Sequence, residues 1–303
     1  MPAPSESDAK GQFDPARNIL DDVTPNAFAS AVAQAEGAAA KGSAEAALQL
    51  ANLEAVGFRR PRSWQKAFEL LRQAASLGSA DAAEQLELLA CDDPDERLFA
   101  VPARVALADS PRIRLFREFA SPAICDRVVD RFRESLSPAM VWDAAAGTPK
   151  VDAMRTNRTR DLLRRDMDVV LAVLRARISA ATRLPEEIFE TAQVMRYEPG
   201  QEFKLHHDYL DPLIPGQLLD MERRGQRIGT VLIYLNDDFE AGETEFPFAG
   251  IKLRGKKGDA LFFTNVTPTG EPDVKALHSG NSPTSGEKWI FSQWIRDRQQ
   301  PGA

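Results

Sequence analysis

"HHDYLDP", residues 206–212, holds two of the chain's three histidines beside an aspartate. In an extended strand residues i and i+2 face the same side. His206 and Asp208 can therefore aim an imidazole and a carboxylate at one point, while His207 faces the other way. Around this stretch lie TAQVMRY, GTVLIYL, DALFFTN and EKWIFSQWIR, short apolar runs separated by Gly, Pro and Asp turns. Such runs predict a mainly antiparallel sheet, with its helices placed earlier in the chain.

Upstream, IRLFREF from Ile113 reads as a strand, and Ser121-Pro122 as a helix start, an N-cap serine followed by proline in the first turn. A second helix is expected over about Arg160 to Thr182. LDPLIPGQLLDMERRGQR, from Leu210 to Arg227, reads as a connecting loop or a lid.

The N-terminal third has another character. Residues 1–26 lack apolar periodicity and read as a flexible arm. Over residues 27–92 the chain is alanine-rich and repeats itself: GSA motifs start at Gly42 and Gly78, a period of about 36 residues. Trp64, Phe68, Leu71 and Ala75 mark one face of a helix. The pattern resembles the tetratricopeptide-related Sel-one-like repeats. So few repeats cannot bury a continuous core unaided, so they are expected to pack on the following domain or on a second subunit as a homodimer. An alanine-rich cap without binding function is the plain alternative. Residues 93–110, acidic and proline-containing, read as a linker, residues 111–298 as the second domain and 299–303 as a tail.

Composition bounds the function. The chain has 303 residues, 43% hydrophobic, enough for a full core and favouring two domains. A polar start and the lack of a long apolar run predict a soluble, cytoplasmic protein that does not enter membranes. Cys91 and Cys125 are too few for a disulfide scaffold and read as reduced structural residues. Net charge -7 argues against nucleic acid as a partner.

The third histidine, His278, precedes SGNSPTSGEKW. Two histidines and one carboxylate on a barrel-like sheet form the facial triad of non-haem Fe(II) oxygenases, which leaves positions open for cosubstrate and oxygen. An H-x-D alone arises readily by chance, and a satisfied surface pair is then the default. Lys288 raises the odds. It shares a strand face with Ile290, Ser292 and Trp294, and a buried lysine there needs an acidic partner such as a metal-bound dicarboxylate. Zinc would suit the same ligands, so the triad by itself does not select iron.

Three segments carry a resemblance. YEPGQEFKLHHDY (197–209), RIGTVLIYLNDDFEAGETEFP (227–247) and KKGDALFFTN…LHSG…GEKWIFSQWIR (256–296) resemble, in order, the motifs of the prolyl 4-hydroxylase-type 2-oxoglutarate/Fe(II)-dependent dioxygenases. The resemblance implies an α+β fold, a double-stranded β-helix (jelly-roll) catalytic domain with supporting helices, preceded by a small all-α helical-repeat domain. It implies that His206, Asp208 and His278 bind Fe(II), that Lys288 pairs with the distal carboxylate of 2-oxoglutarate, and that Tyr197 and Thr244 hydrogen-bond it. It also implies ascorbate as reductant, and succinate and CO2 as products. Gly200 and Gly242 read as turn residues with unusual dihedrals, and Trp294 and Phe263 as core. MRTNRTR, from Met154, resembles the family's R-x-S strand, with Thr156-Asn157 where serine is common. Arg155 and Tyr209 are the candidate substrate contacts. Animal collagen prolyl hydroxylases also carry a tetratricopeptide-like domain before the catalytic one, which favours a prolyl residue of a peptide or protein over a free amino acid or small molecule. A repeat-based scaffold with a ligand-sensing fold is the reading of another class.

Overall fold

The computed structural model describes residues 13–15, 17–21, 24–90, 94, 96–143 and 148–300. They form two compact units. One holds the residues up to Ala100 together with Leu163–Ala176, and the other Val101–Leu162 and Arg177 onward.

The first unit is helical. Its four main helices are α1 (Pro25–Ala39), α2 (Ala44–Val56), α3 (Trp64–Ser76) and α4 (Ala80–Leu89). Each is started by a side-chain cap: Thr24, Ser43, Ser63 and Ser79 accept the backbone N–H three residues on. The repeated GSA motif now has a mechanism. Gly42 and Gly78 take φ of +91° and +96°, open to glycine at little cost, and the serine after each caps the next helix. Ala46, Ala47, Ala67, Ala74 and Ala82 are fully buried, so small side chains let the helices approach closely.

Gln49 and Gln85 stand at equivalent places in the repeat, and both are buried. Gln49 Oε1 accepts the Ile19 N–H at 3.3 Å, and Gln85 Oε1 accepts the Val169 N–H at 3.1 Å. Each amide also donates to the acid four residues earlier, Glu45 or Asp81. The repeat thus holds two segments of its own chain by their backbones.

These contacts correct two expectations. Ile19 and Leu20, inside the predicted arm, form a buried 3-10 turn; a lone apolar pair among polar residues carries no periodicity to read. The arm's residues 1–12 lie outside the described residues, as do Cys91 and residues 301–303 of the tail, whereas Gln300 is held by Glu187, Arg224 and Arg298. The helix expected from Arg160 starts at Val169: α5 is Pro122–Phe132 and α6 is Val169–Thr182. Asp168 accepts the Leu171 N–H at 2.8 Å and so fixes that start.

The second unit carries the strands. In chain order they are β1 (Arg104–Asp109), β2 (Arg112–Phe116), β3 (Ser137–Pro138), β4 (Val141–Asp143), β5 (Thr148–Lys150), β6 (Arg158–Asp161), β7 (Gln193–Tyr197) and β8 (Phe203–His206). There follow β9 (Arg227–Tyr234), β10 (Glu240–Ala241), β11 (Thr244–Phe246), β12 (Ile251–Leu253), β13 (Ala260–Thr264), β14 (His278–Gly280), β15 (Pro283–Ser285) and β16 (Lys288–Arg296). An eight-stranded sheet runs β1-β2-β13-β9-β16-β7-β6-β3, and a four-stranded sheet runs β12-β11-β14-β8. All the recorded ladders are antiparallel. The core cluster draws on both sheets: Met195, Tyr234, Phe263 and Ile290 from the large one, Phe246 from the small one. The chain is a mixed α+β fold, helical first and sheet-rich after.

Two further stretches differ from expectation. The linker predicted over 93–110 contains β1, which pairs with β2 in the large sheet. The loop predicted over 210–227 contains α7 (Pro215–Arg224). Its prolines read as breakers, yet Pro215 sits in the first turn, where the missing N–H is not needed. No helix among the described residues is long and apolar enough to cross a membrane. Cys125 is buried and free, and burial pushes its thiol up to about 12 against the pull of Lys257.

Candidate metal centre

β8 and β14 are antiparallel neighbours, and their register places His206 opposite His278. Asp208 follows two residues after the end of β8. One ligand atom from each of the three lies within 4.8 Å of the others, and this is the one such cluster among the described residues. His206 Nε2 is 3.6 Å from Asp208 Oδ1, and His278 Nε2 is 3.6 Å from Asp208 Oδ2. His207 faces away and bonds the Val274 carbonyl at 3.0 Å, as the alternation predicts.

The ring orientations are fixed from behind. His206 Nδ1–H donates to the Lys204 carbonyl at 2.7 Å, and His278 Nδ1–H donates to the Ala276 carbonyl at 2.9 Å. With Nδ1 committed to a carbonyl, both rings turn Nε2 toward Asp208, which leaves that atom as the one to ligate a metal. Phe203 stacks on His206 with ring centres 3.4 Å apart, and Phe263 and Phe246 pack against His278. Burial, with His206 beside it, lowers His278 to about 4, so it is neutral at physiological pH. Burial opposes the charge of Asp208, but His278 and His206 outweigh it and hold the carboxyl well below the usual carboxylate range. Two imidazoles and one carboxylate, converging on one point, fit a divalent cation of the Fe(II) type.

The three line an open cavity with Tyr197, Thr244 and Lys288. Lys288 is 1% exposed, and no hydrogen bond or ion pair holds it among the described residues. Burial lowers it to about 7, opposed by Glu243. Tyr234 O–H donates to Thr244 Oγ1 at 2.8 Å, which leaves the Thr244 proton available to a ligand. Tyr197 O–H donates to the Met195 sulfur at 3.7 Å, and burial pushes its phenol up to about 12, so it stays a donor. Gly242 has φ +68°, and a Cβ there would meet the Phe239 ring at 3.0 Å beside the Lys288 stem. Gly200 likewise sits at φ +87°.

The two substrate candidates are placed differently. Arg155 is buried behind Phe203, 4.9 Å from its ring centre, with its guanidinium donating to Asn157 and Gln193. Tyr209 packs on His207 and does not line the cavity. Phe263 is core as expected. Trp294 is both: it belongs to the core and lines the cavity, and its buried Nε1–H has no partner among the described residues.

Several supporting residues escape a sequence reading. Glu190 accepts two bonds from Arg227 and one from the fully buried Arg296. Burial opposes the charge of Glu190, and the two arginines hold its carboxyl below the usual range. Arg227 lies 4.1 Å over the Trp294 ring, and Arg296 also donates to Asp220 on α7 and to the Gly225 carbonyl. The α7 segment is thereby pinned at its end. Thr230, the threonine of R-x-x-T, donates to Asp208 Oδ2 at 2.7 Å. The spacing marks Thr230, but only tertiary pairing tells what it touches.

Residues 192–296 match the family model described as the 2OG-Fe(II) oxygenase superfamily. The chain is 34% identical over 204 residues to prolyl 4-hydroxylase 1 of Arabidopsis thaliana, covering 62% of this chain and 70% of that protein. It is 32% identical over 220 residues to probable prolyl 4-hydroxylase 4 of the same plant, covering 65% and 72%. Among solved structures, a viral collagen prolyl hydroxylase from Paramecium Bursaria Chlorella virus-1, in its 2OG complex, superposes with TM-score 0.46 at 26% identity. That match covers 60% of this chain and 94% of the viral one.

Proposed function

The chain belongs to the prolyl 4-hydroxylase-like family of 2-oxoglutarate/Fe(II)-dependent dioxygenases, and from that premise we propose that it hydroxylates a prolyl residue within a peptide or protein, releasing succinate and CO2. The observation that carries this reading is the convergence of His206, Asp208 and His278 in one cavity with a buried lysine that no hydrogen bond or ion pair holds among the described residues.

In this reading His206, Asp208 and His278 hold Fe(II), which when bound couples oxidation of 2-oxoglutarate to activation of oxygen. Lys288 pairs with the distal carboxylate of 2-oxoglutarate, and the free donor capacity of Tyr197 and Thr244 serves the same group. The carboxylate of Asp208, a divalent cation, the dicarboxylate and Lys288 together leave no net charge in the cavity. Phe203, Leu232 and Trp294 supply an apolar wall suited to a pyrrolidine ring and exclude water from it. The two sheets are assigned to a double-stranded β-helix around this cavity, carried by residues 111–298 with β1 added, and ascorbate to the role of reductant.

The test is mass spectrometry of proline-containing peptides and of a cell lysate after incubation with the protein, Fe(II), ascorbate and 2-oxoglutarate. One added oxygen on proline with the wild type, and none with His206→Ala, is the expected result. Succinate without any modified polypeptide would sink the polypeptide reading, and free amino acids would then be the substrates to try.

A further inference from the structure

Asp208 is held by more than its neighbours in the triad. Thr230 Oγ1 donates its single proton to Asp208 Oδ2 at 2.7 Å, and Asn265 Nδ2 donates to Thr230 Oγ1 at 3.0 Å. All three residues are buried, at 5%, 1% and 0% exposure. The direction of the chain is forced. A hydroxyl has one proton, so a threonine that gives it to a carboxylate can only accept from the next group, and the asparagine must present its NH2.

The support behind this chain is rigid. Thr230 lies on β9 and Asn265 directly follows β13, strands that pair along the large sheet. The Asn265 N–H donates to the Ile228 carbonyl and its own carbonyl accepts the Asp273 N–H. Asn265 Oδ1 is buried without a partner among the described residues. An orphaned buried oxygen costs stability, and a packing role alone would be served as well by an apolar side chain. The arrangement therefore serves the Thr230 hydroxyl.

The two oxygens of Asp208 are made unequal. Each oxygen lies 3.6 Å from one triad Nε2, Oδ1 from His206 and Oδ2 from His278, but Oδ2 also accepts the Thr230 proton, whereas Oδ1 accepts no hydroxyl or amide proton among the described residues. We propose that Thr230 and Asn265 are positioning residues that make Asp208 offer a divalent metal one oxygen, Oδ1, and not two. The consequence is a count of coordination positions. Two imidazoles and one oxygen leave three of six positions open, enough for a chelating cosubstrate and oxygen together; a second Asp208 oxygen would take one of them. This inference rests on the proposed metal role of the triad.

The test is titration of Co(II) into the metal-free full-length chain, followed by calorimetry and by the visible absorbance of the bound ion, with and without 2-oxoglutarate. The variants are Thr230→Val, Thr230→Ser, Asn265→Ala and His206→Ala. Thr230→Val keeps the side-chain shape and removes the proton. It is expected to weaken Co(II) binding about 10–100-fold, to alter the visible spectrum, and to weaken 2-oxoglutarate binding to the Co(II) form. Thr230→Ser restores all three, and Asn265→Ala moves them in the same direction by a smaller factor. A Thr230→Val protein with wild-type affinity and spectrum overturns the inference, as does failure of Thr230→Ser to restore them. A wild type that binds no Co(II), or a His206→Ala variant that binds it equally well, removes the triad reading itself, so the two failures are distinguishable.

Discussion

Lys288 lies directly opposite Tyr197 in the β16–β7 register, with its Nζ 5.1 Å from the centre of the Tyr197 ring. The pair places a buried cation and a neutral phenol side by side on the cavity wall. With burial holding the free lysine at about 7, a dicarboxylate that contacts it must raise that value by favouring the charged form. Below about pH 7 the lysine is already protonated and 2-oxoglutarate binds without proton uptake. Above it, binding takes up a proton, so affinity falls as pH rises, approaching tenfold per unit. Calorimetric titration of 2-oxoglutarate between pH 6 and 9 in roughly unit steps reads this slope, and a flat profile would contradict it. Lys288→Met should lose about 2–5 kcal/mol of that binding.

Metal binding should appear as stability. A ligand that binds only the folded chain adds about 2.7 kcal/mol at a concentration one hundred times its dissociation constant. The melting temperature of the wild type should therefore rise on adding Mn(II) or Co(II). His278→Ala should melt at one temperature with and without metal. A metal-induced rise that survived His278→Ala would place the ion elsewhere.

The Glu190 carboxylate pairs with two arginines, one of them fully buried. Glu190→Gln takes from Arg227 its paired carboxylate and leaves the buried Arg296 with Asp220 alone, a loss of about 3–5 kcal/mol. Urea unfolding measures it, and a change below about 1 kcal/mol, the range of exposed pairs, would show that solvent reaches the network.

In the helical unit, Gln85→Leu removes the acceptor of the Val169 N–H and leaves that buried donor unsatisfied. A loss of about 1–3 kcal/mol follows. Hydrogen exchange reads it at one amide: the Val169 N–H should lose protection while the Ile19 N–H, held by Gln49, keeps its own. Gln49→Leu should reverse the pattern.

What the sequence by itself determined is local and periodic. Alternation separated His206 and Asp208 from His207, strand periodicity put Lys288 and Trp294 on one face, and the GSA spacing marked two like helix turns. Each follows from the geometry of neighbouring residues, which the chain imposes wherever it folds. Resemblance added the order of motifs around His278 and Lys288. Tertiary structure decided the rest. Pairing of β8 with β14 brought His278 to His206, and pairing of β9 with β13 brought Asn265 behind Thr230. Gln85 became a backbone clamp because Val169 arrived beside it. These are contacts between residues far apart in the chain, where no spacing rule operates. Arg155 shows the division most plainly: its motif made it a candidate substrate contact, and only packing shows its guanidinium beside Asn157, Gln193 and the Phe203 ring.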